Sequence, residues 1–286
     1  MRVTRFAPSP TGFLHLGHAF SALFALDASG GGRFLLRIED IDRARCKPAF
    51  ETAIFEDLGW LGLAWDTPVR RQSEHMGDYQ AALTRLIGRG VMYRCFRTRR
   101  EVLEEIARAP HRGGEGPDGI VFRGEALGGD EEEARLAQGE SFAWRLSLDK
   151  ARDALGGGFD KLFFAESGGG PNGEHGEIAA RPDLLGDAVL ARKDFPVSYH
   201  LASVCDDALQ GVSLVTRGHD LFTATHLHVL LHALLDLPTP EYRHHRLILD
   251  AHGKRFAKRD HAATIRALRD AGTTPAAVRA MINLTN

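Results

Sequence analysis

Residues 2–18 read RVTRFAPSPTGFLHLGH. The first six alternate in a way that suits a β-strand, and Pro8 and Pro10 end any strand there. A short loop then leads to His15-Leu16-Gly17-His18, which opens a helix predicted from about Gly17 to Ala28 and apolar on nearly every face. In α/β sheets ligands bind beyond the carboxyl ends of the strands, where a helix N-terminus presents unpaired N–H groups and a positive dipole. A phosphate is one anion that fits such a place. Gly17 lets a phosphate or a flat ring approach the backbone, and His15 and His18 can donate to phosphate oxygens. By residue type alone three readings stand: two satisfied interior histidines, a pair of phosphate donors, or two ligands of a zinc site that lacks a third.

Working outward, RFLLRIED (33–40) reads as a second strand, residues 48–58 as an amphipathic helix, and Met76 to Arg89 as another, with Leu83, Leu86 and Ile87 at helical spacing. VMYRCF (91–96) reads as a further strand. Strand, helix, strand, helix, strand is the order of a parallel sheet with crossover helices. From about Arg97 to Pro182 the chain is rich in glycine and charge, with the acidic run Asp130 to Glu133 and short strand candidates such as FAWRLSL (142–148). This segment reads as an insertion. The apolar pattern resumes at 189–218, a helix is expected from about Leu221 to Leu235, and RLIL (246–249) is strand-like.

With 286 residues the chain has room for a sizeable core and about two domains, and 43% hydrophobic with 26% charged residues is ordinary for a globular protein. No apolar stretch approaches the ~20 residues of a membrane span, and the N-terminus has no signal-peptide pattern. Cys46, Cys95 and Cys205 are odd in number and far apart, which argues against a disulfide framework. These features describe a cytoplasmic enzyme with reduced thiols. The net charge of −2 by itself selects no polyanionic partner. It is unevenly spread, at +5 from Glu241 onward and −7 before it, so a basic C-terminal face sits on an acidic body.

Six segments in one order carry a resemblance: RFAPSPTGFLHLGHA (5–19), RIEDID (37–42), RQSEH (71–75), DFPVSYHLASVCDD (194–207), VTRGHDL (215–221) and KRFAKRD (254–260). Together they resemble the class I aminoacyl-tRNA synthetases, in the glutamyl and glutaminyl branch. In the last segment, RFAKR (255–259) stands where that family has a Lys-Met-Ser-Lys-Ser loop. Ala257 and Arg259 replace its two serines and Arg255 its first lysine, so the cationic character survives and the hydroxyls do not.

The resemblance implies an α/β fold with a Rossmann-type parallel sheet, an inserted α+β subdomain and a small helical C-terminal segment. The expected division is a catalytic domain in two halves (1–96 and 183–238), the insertion (97–182) and the C-terminal segment (239–286). The implied reaction is attack of an amino-acid carboxylate on the α-phosphate of ATP, with Mg2+, followed by transfer to RNA. Catalysis of that kind rests on positioning and charge stabilisation. His15, Gly17, His18 and Lys258 would hold ATP, with His15, His18 and Lys258 serving the chemical step. Arg5, Ala7, Ser9, Glu39, Tyr199 and Arg217 would hold glutamate, Glu39 at its ammonium and Arg217 at its γ-carboxylate, since an arginine binds carboxylate through two parallel hydrogen bonds.

Relatives of this type often carry zinc on a Cys-x-Cys pair with a later Tyr and Cys. Here the pair reads Cys95-Phe96-Arg97, and one thiolate cannot complete a tetrahedral site, so no zinc is expected. The chain ends 27 residues after Arg259, too few for an anticodon-binding domain. The resemblance is therefore strongest to the stand-alone glutamyl-queuosine tRNA(Asp) synthetases. It implies L-glutamate, ATP and queuosine-bearing tRNA(Asp) as partners, no membrane, and a monomer. Two alternatives stay open: a truncated glutamyl-tRNA synthetase charging a tRNA 3′ end, and a non-catalytic RNA-binding paralogue.

Overall fold

The computed structural model describes residues 1–108, 113–116, 119–192, 196–248 and 264–282. The chain runs β1 (Val3–Phe6), α1 (Leu16–Ala28), β2 (Arg33–Ile38), α2 (Pro48–Trp60), β3 (Asp66–Arg71), α3 (Met76–Gly88), β4 (Met92–Cys95), α4 (Arg99–Arg108), β5 (Gly113–Gly116) and β6 (Gly119–Phe122). It continues with α5 (Gly129–Ala137), β7 (Ala143–Leu146), α6 (Leu148–Leu155), β8 (Phe163–Glu166), β9 (Gly176–Ala179), β10 (Val189–Arg192), α7 (Tyr199–Leu209), β11 (Leu214–Gly218), α8 (Phe222–Leu234), β12 (Glu241–His245), α9 (Ile265–Asp270) and α10 (Pro275–Met281).

Strands β1, β2 and β3 form a parallel sheet, with Val3 opposite Arg33 and Leu35 opposite Asp66. Strands β11 and β12 are also parallel, Leu214 opposite Glu241 through Gly218 opposite His245, and β8 and β9 extend that sheet. The two sheets meet at β1 and β11: the Ser213 N–H donates to the Val3 carbonyl at 3.0 Å, and Arg5 Nη1 to the Thr216 carbonyl at 3.0 Å. Parallel strands joined by α1, α2 and α8 are the α/β architecture that the motif order implied.

Two details differ from the sequence reading. The third parallel strand is β3, DTPVRR, and not 91–96. β3 is an edge strand with a proline and three charged residues, and none of its six positions is buried, so it shows no apolar signature. Residues 92–95 instead pair antiparallel with β7, which in turn pairs antiparallel with β10. The last strand ends at His245, and Arg246, Leu247 and Ile248, expected as strand, run along the central cleft.

The parallel sheet is covered by α1 and α2. Ala19, Ala22, Leu23 and Ala25 of α1 pack with Phe34, Leu36 and Ile38 of β2 and Ile54 and Leu58 of α2. Ile265 of α9, Val278 of α10 and Ile282 just past it close this core. Each fully buried Leu or Ile contributes roughly 1.5–3 kcal/mol, so Leu23→Ala should cost about 2–5 kcal/mol. A second core forms where α3, α7 and α8 pack around Leu86, Leu201, Leu227 and Leu230.

Helix α7 is tied to the sheet by charge. Asp207 accepts from Arg5 of β1 at 2.9 and 3.4 Å and from Arg37 of β2 at 2.5 Å. Its neighbour Asp206 accepts from Arg70 of β3 at 2.7 Å, from Gln72 at 2.9 Å and from Tyr79 at 2.9 Å. Two consecutive aspartates thus clamp three adjacent strands, with Arg37 and Asp206 fully buried. Among the described residues no helix is long and apolar enough to cross a membrane.

Candidate active site

A cleft of about 480 Å³ opens at the carboxyl ends of β1, β2, β11 and β12. Arg5, Ala7 and Ser9 reach it from β1 and the following loop, His15, Gly17 and His18 from the start of α1, and Glu39 from the end of β2. Tyr199 opens α7 and Arg217 lies near the end of β11, and both also line it. Nine of the residues expected to bind ATP or glutamate therefore meet in one place. Lys258 and the rest of RFAKR (255–259) lie outside the described residues. The chain on either side of that segment is at the cleft: Leu247 and Ile248 line it, and Thr264 forms a bridge with His15.

His15 is the N-cap of α1. Its Nδ1 accepts from the Gly17 N–H at 3.1 Å, and the Nδ1 of His18 accepts from the His15 N–H at 3.2 Å. This reciprocal cap satisfies two N–H groups at the helix start. With Nδ1 accepting in both rings, the neutral imidazoles carry their proton on Nε2. The rings pack with centroids 3.8 Å apart. A Cβ at Gly17 would sit 3.0 Å from the His15 ring, so glycine is what lets that ring fold over the helix end.

The two arginines differ. Arg5 is paired with Asp207, and although burial opposes its charge, the carboxylate raises its pKa. Asp207 is correspondingly held down to about 2: burial works against ionisation, and Arg5 and Arg37 overcome it. Arg217 donates from Nε to His244 Nε2 at 3.3 Å, from Nη1 to His228 Nδ1 at 3.2 Å and from Nη2 to the Thr225 hydroxyl at 2.6 Å. Its guanidinium also lies 5.1 Å from the Tyr242 ring centroid. Among the described residues no carboxylate is paired with Arg217.

Glu39 is half-buried in the cleft lining, and burial raises its carboxyl to about 7 against the opposing pull of Arg37 and Arg5. Its charge is therefore sensitive to a cation placed beside it. Ser9, Glu39 and Tyr199 also line a second cleft of about 410 Å³, which continues past them to Asp42, Arg192 and His200.

The supporting residues escaped the sequence reading. Asp207 lay inside a recognised segment without a role, and Glu166, Thr225, His228 and His244 were unmarked. The i, i+3 spacing of Thr225 and His228 on α8 was the one local signal available. Among the described residues no group of three His, Cys, Asp or Glu side chains is arranged to hold a metal ion.

This arrangement has known counterparts. Residues 2–285 match the family of class I tRNA synthetases for glutamate and glutamine (E and Q), catalytic domain, and the chain belongs to that family. It is 49% identical to the glutamyl-Q tRNA(Asp) synthetase of Rhodobacter capsulatus, over 99% of this chain and 100% of that one. It is 40% identical to the glutamyl-Q tRNA(Asp) synthetase of Nocardia farcinica, over 97% of this chain and 82% of that one. Among solved structures, the glutamate-tRNA synthetase of Elizabethkingia anophelis superposes with a TM-score of 0.71 at 29% identity over 91% of this chain. The chain spans about half of that longer protein, 53% of its length.

Proposed function

We propose that this protein activates L-glutamate with ATP to glutamyl-adenylate and transfers the glutamyl group to queuosine in the anticodon of tRNA(Asp). Membership of the family implies the use of ATP. The choice of acceptor is supported by the match to the Rhodobacter capsulatus protein over its whole length. The observation that carries the amino-acid assignment is Arg217, a buried cation facing the cleft with neutral partners.

In this reading the γ-carboxylate of glutamate meets Arg217 and its ammonium meets Glu39, whose carboxyl the ammonium would hold ionised. Ala7, Ser9 and Tyr199 frame the amino acid together with Arg5, whose guanidinium is paired with Asp207. ATP lies along the N-terminus of α1, where His15 and His18 donate through Nε2–H to its phosphates and Gly17 admits it to the backbone. The α-carboxylate then attacks the α-phosphate in line, pyrophosphate leaves, and Lys258 counters the charge that builds on it. Mg2+ would accompany the ATP phosphates and offset their charge. The acceptor nucleoside would approach through the second cleft, past Tyr199 toward Arg192. The zinc-free insertion at 97–182, the two-halved catalytic domain, the monomeric state and the cytoplasmic location remain part of the same reading.

The test is transfer of labelled glutamate to tRNA(Asp) carrying queuosine, to the same tRNA with guanosine in its place, and to the queuosine form lacking 3′-terminal hydroxyls. Acceptance should require queuosine and survive loss of the 3′ hydroxyls. Charging that follows the 3′ end instead would overturn the acceptor assignment.

A further inference from the structure

We propose that Glu166 and His244 are positioning residues that hold Arg217 as an uncompensated cation facing the cleft, so that the pocket takes a ligand carboxylate in preference to the corresponding amide. The inference deepens the reading above and rests on it for the identity of that ligand as glutamate.

Glu166 and His244 are 78 residues apart and meet because β8 lies beside β12, with Tyr242 opposite Glu166. Both are buried. Glu166 Oε2 lies 2.6 Å from His244 Nδ1, while its Oε1 accepts the backbone N–H groups of His244 and Gly168, each at 2.9 Å. A Cβ at residue 168 would fall 2.5 Å from the His244 carbonyl oxygen, so this close turn requires glycine. Burial opposes ionisation of Glu166, but the donors around it outweigh burial and keep its pKa below the usual range. An ionised carboxylate only accepts, so the ring proton of His244 sits on Nδ1.

His244 Nε2 is then a lone pair, and two donors converge on it: Arg217 Nε and the Thr225 hydroxyl, each at 3.3 Å. Thr225 in turn accepts from Arg217 Nη2 at 2.6 Å. The circuit closes in one sense only, because arginine has no acceptor. On the other flank, Arg217 Nη1 obliges His228 Nδ1 to accept at 3.2 Å, and the Nε2–H of His228 donates to His200 Nδ1 at 3.1 Å. Burial, with the charge of Arg217 adding to it, drives His228 well below its ordinary pKa, and burial brings His244 to about 4 despite Glu166. Both rings are therefore neutral near pH 7.

The placement of one imidazole between Glu166 and Arg217 has a consequence. A carboxylate set directly on Arg217 would fix its orientation and also cancel its charge, as Asp207 does for Arg5. A neutral ring fixes the orientation and leaves the charge for the ligand. Three of the five N–H donors of Arg217 are used in this way, which leaves two for a carboxylate fork.

The test variant is Glu166→Gln. Glutamine cannot face three donors with acceptors alone, so it either turns its amide toward the backbone N–H groups or donates to His244 Nδ1 and forces the ring proton onto Nε2, against Arg217. The experiment measures glutamate and ATP binding by titration calorimetry, with pyrophosphate exchange for glutamate and glutamine, on wild type and variant of matched melting temperature. Roughly tenfold weaker glutamate binding, ATP binding unchanged and a narrowed preference for glutamate over glutamine are expected. Unchanged glutamate binding, or an equal loss for both ligands, would overturn the positioning role. Wild type that binds no glutamate would overturn the functional reading itself and this inference with it. Should Glu166→Gln not fold, the 15N spectrum of wild-type His244 decides: an Nδ1-protonated ring supports the circuit, and an Nε2-protonated ring overturns it.

Discussion

Arg5 and Arg217 line the same cleft with opposite backing: Arg5 closes on the Asp207 carboxylate at 2.9 and 3.4 Å, and Arg217 meets two neutral imidazoles and a hydroxyl. One arginine is spent on holding α7 against β1, and the other keeps its charge. Their substitution should therefore fail in different ways.

Arg217→Lys keeps a cation and loses the planar fork. The loss should be about 1.5–3 kcal/mol in glutamate use, with the apparent constant for ATP nearly unchanged. Steady-state pyrophosphate exchange with each substrate varied in turn reads both. An effect confined to ATP would place Arg217 outside the amino-acid pocket.

Asp207→Asn should lower stability by about 3–5 kcal/mol, because it leaves Arg5 buried without its counter-ion and Arg37 with only the more distant Asp206, at 3.7 Å. The same carboxylate sets an acid limit. Its folded pKa, about 2, lies below the ordinary value near 3.8, so its contribution is full above about pH 4 and is lost as pH falls toward 2. The shift corresponds to a stabilisation on the order of 2 kcal/mol. Denaturant melts at pH 7 and pH 3 should converge for wild type and variant as pH drops; parallel losses would count against this role.

Glu39, raised to about 7, must be ionised to face an ammonium group. The apparent constant for glutamate should rise as pH falls below about 7, and Glu39→Gln should raise it above pH 7, converge with wild type at lower pH and so flatten that dependence. A variant that keeps the wild-type pH profile would assign the titration to another group.

His15→Asn should separate the two duties of this ring. Asparagine is a good N-cap, so the melting temperature should stay near wild type, whereas His15→Ala should cost about 0.5–2 kcal/mol. Both variants should slow adenylate formation, since neither retains the imidazole. Normal rates in His15→Asn would limit His15 to capping α1.

Lys258→Ala should slow adenylate formation on the order of 10²–10³-fold with little change in glutamate affinity, the usual cost of removing one transition-state electrostatic contact. Arg255→Ala and Arg259→Ala, run beside it in single turnover, test the register of the loop. An arginine variant that collapses while Lys258→Ala reacts normally would show that a guanidinium has taken the lysine's part.

Much of this protein was decided locally and could be read from the chain. Helix α1 follows from an apolar run behind a loop with two prolines, and α8 from a run whose outward positions are few. Four of the six motifs bring residues to one crevice because parallel strands joined by crossover helices put all their carboxyl ends on one side. What only the tertiary structure decided are relations between distant segments. β3 took its place in the parallel sheet through pairing with β2 and ion pairs from Arg70, and nothing in its exposed, charged sequence marks a strand. Residues 92–95 joined β7 because backbone pairing does not record direction in the strand's own pattern. The state of Arg217 is the clearest case. Its orientation is set by the tautomers of His228 and His244, and the tautomer of His244 is set by Glu166, 78 residues upstream. A ring's proton follows the hydrogen bond made by its other nitrogen, and that partner exists only once β8 and β12 lie side by side.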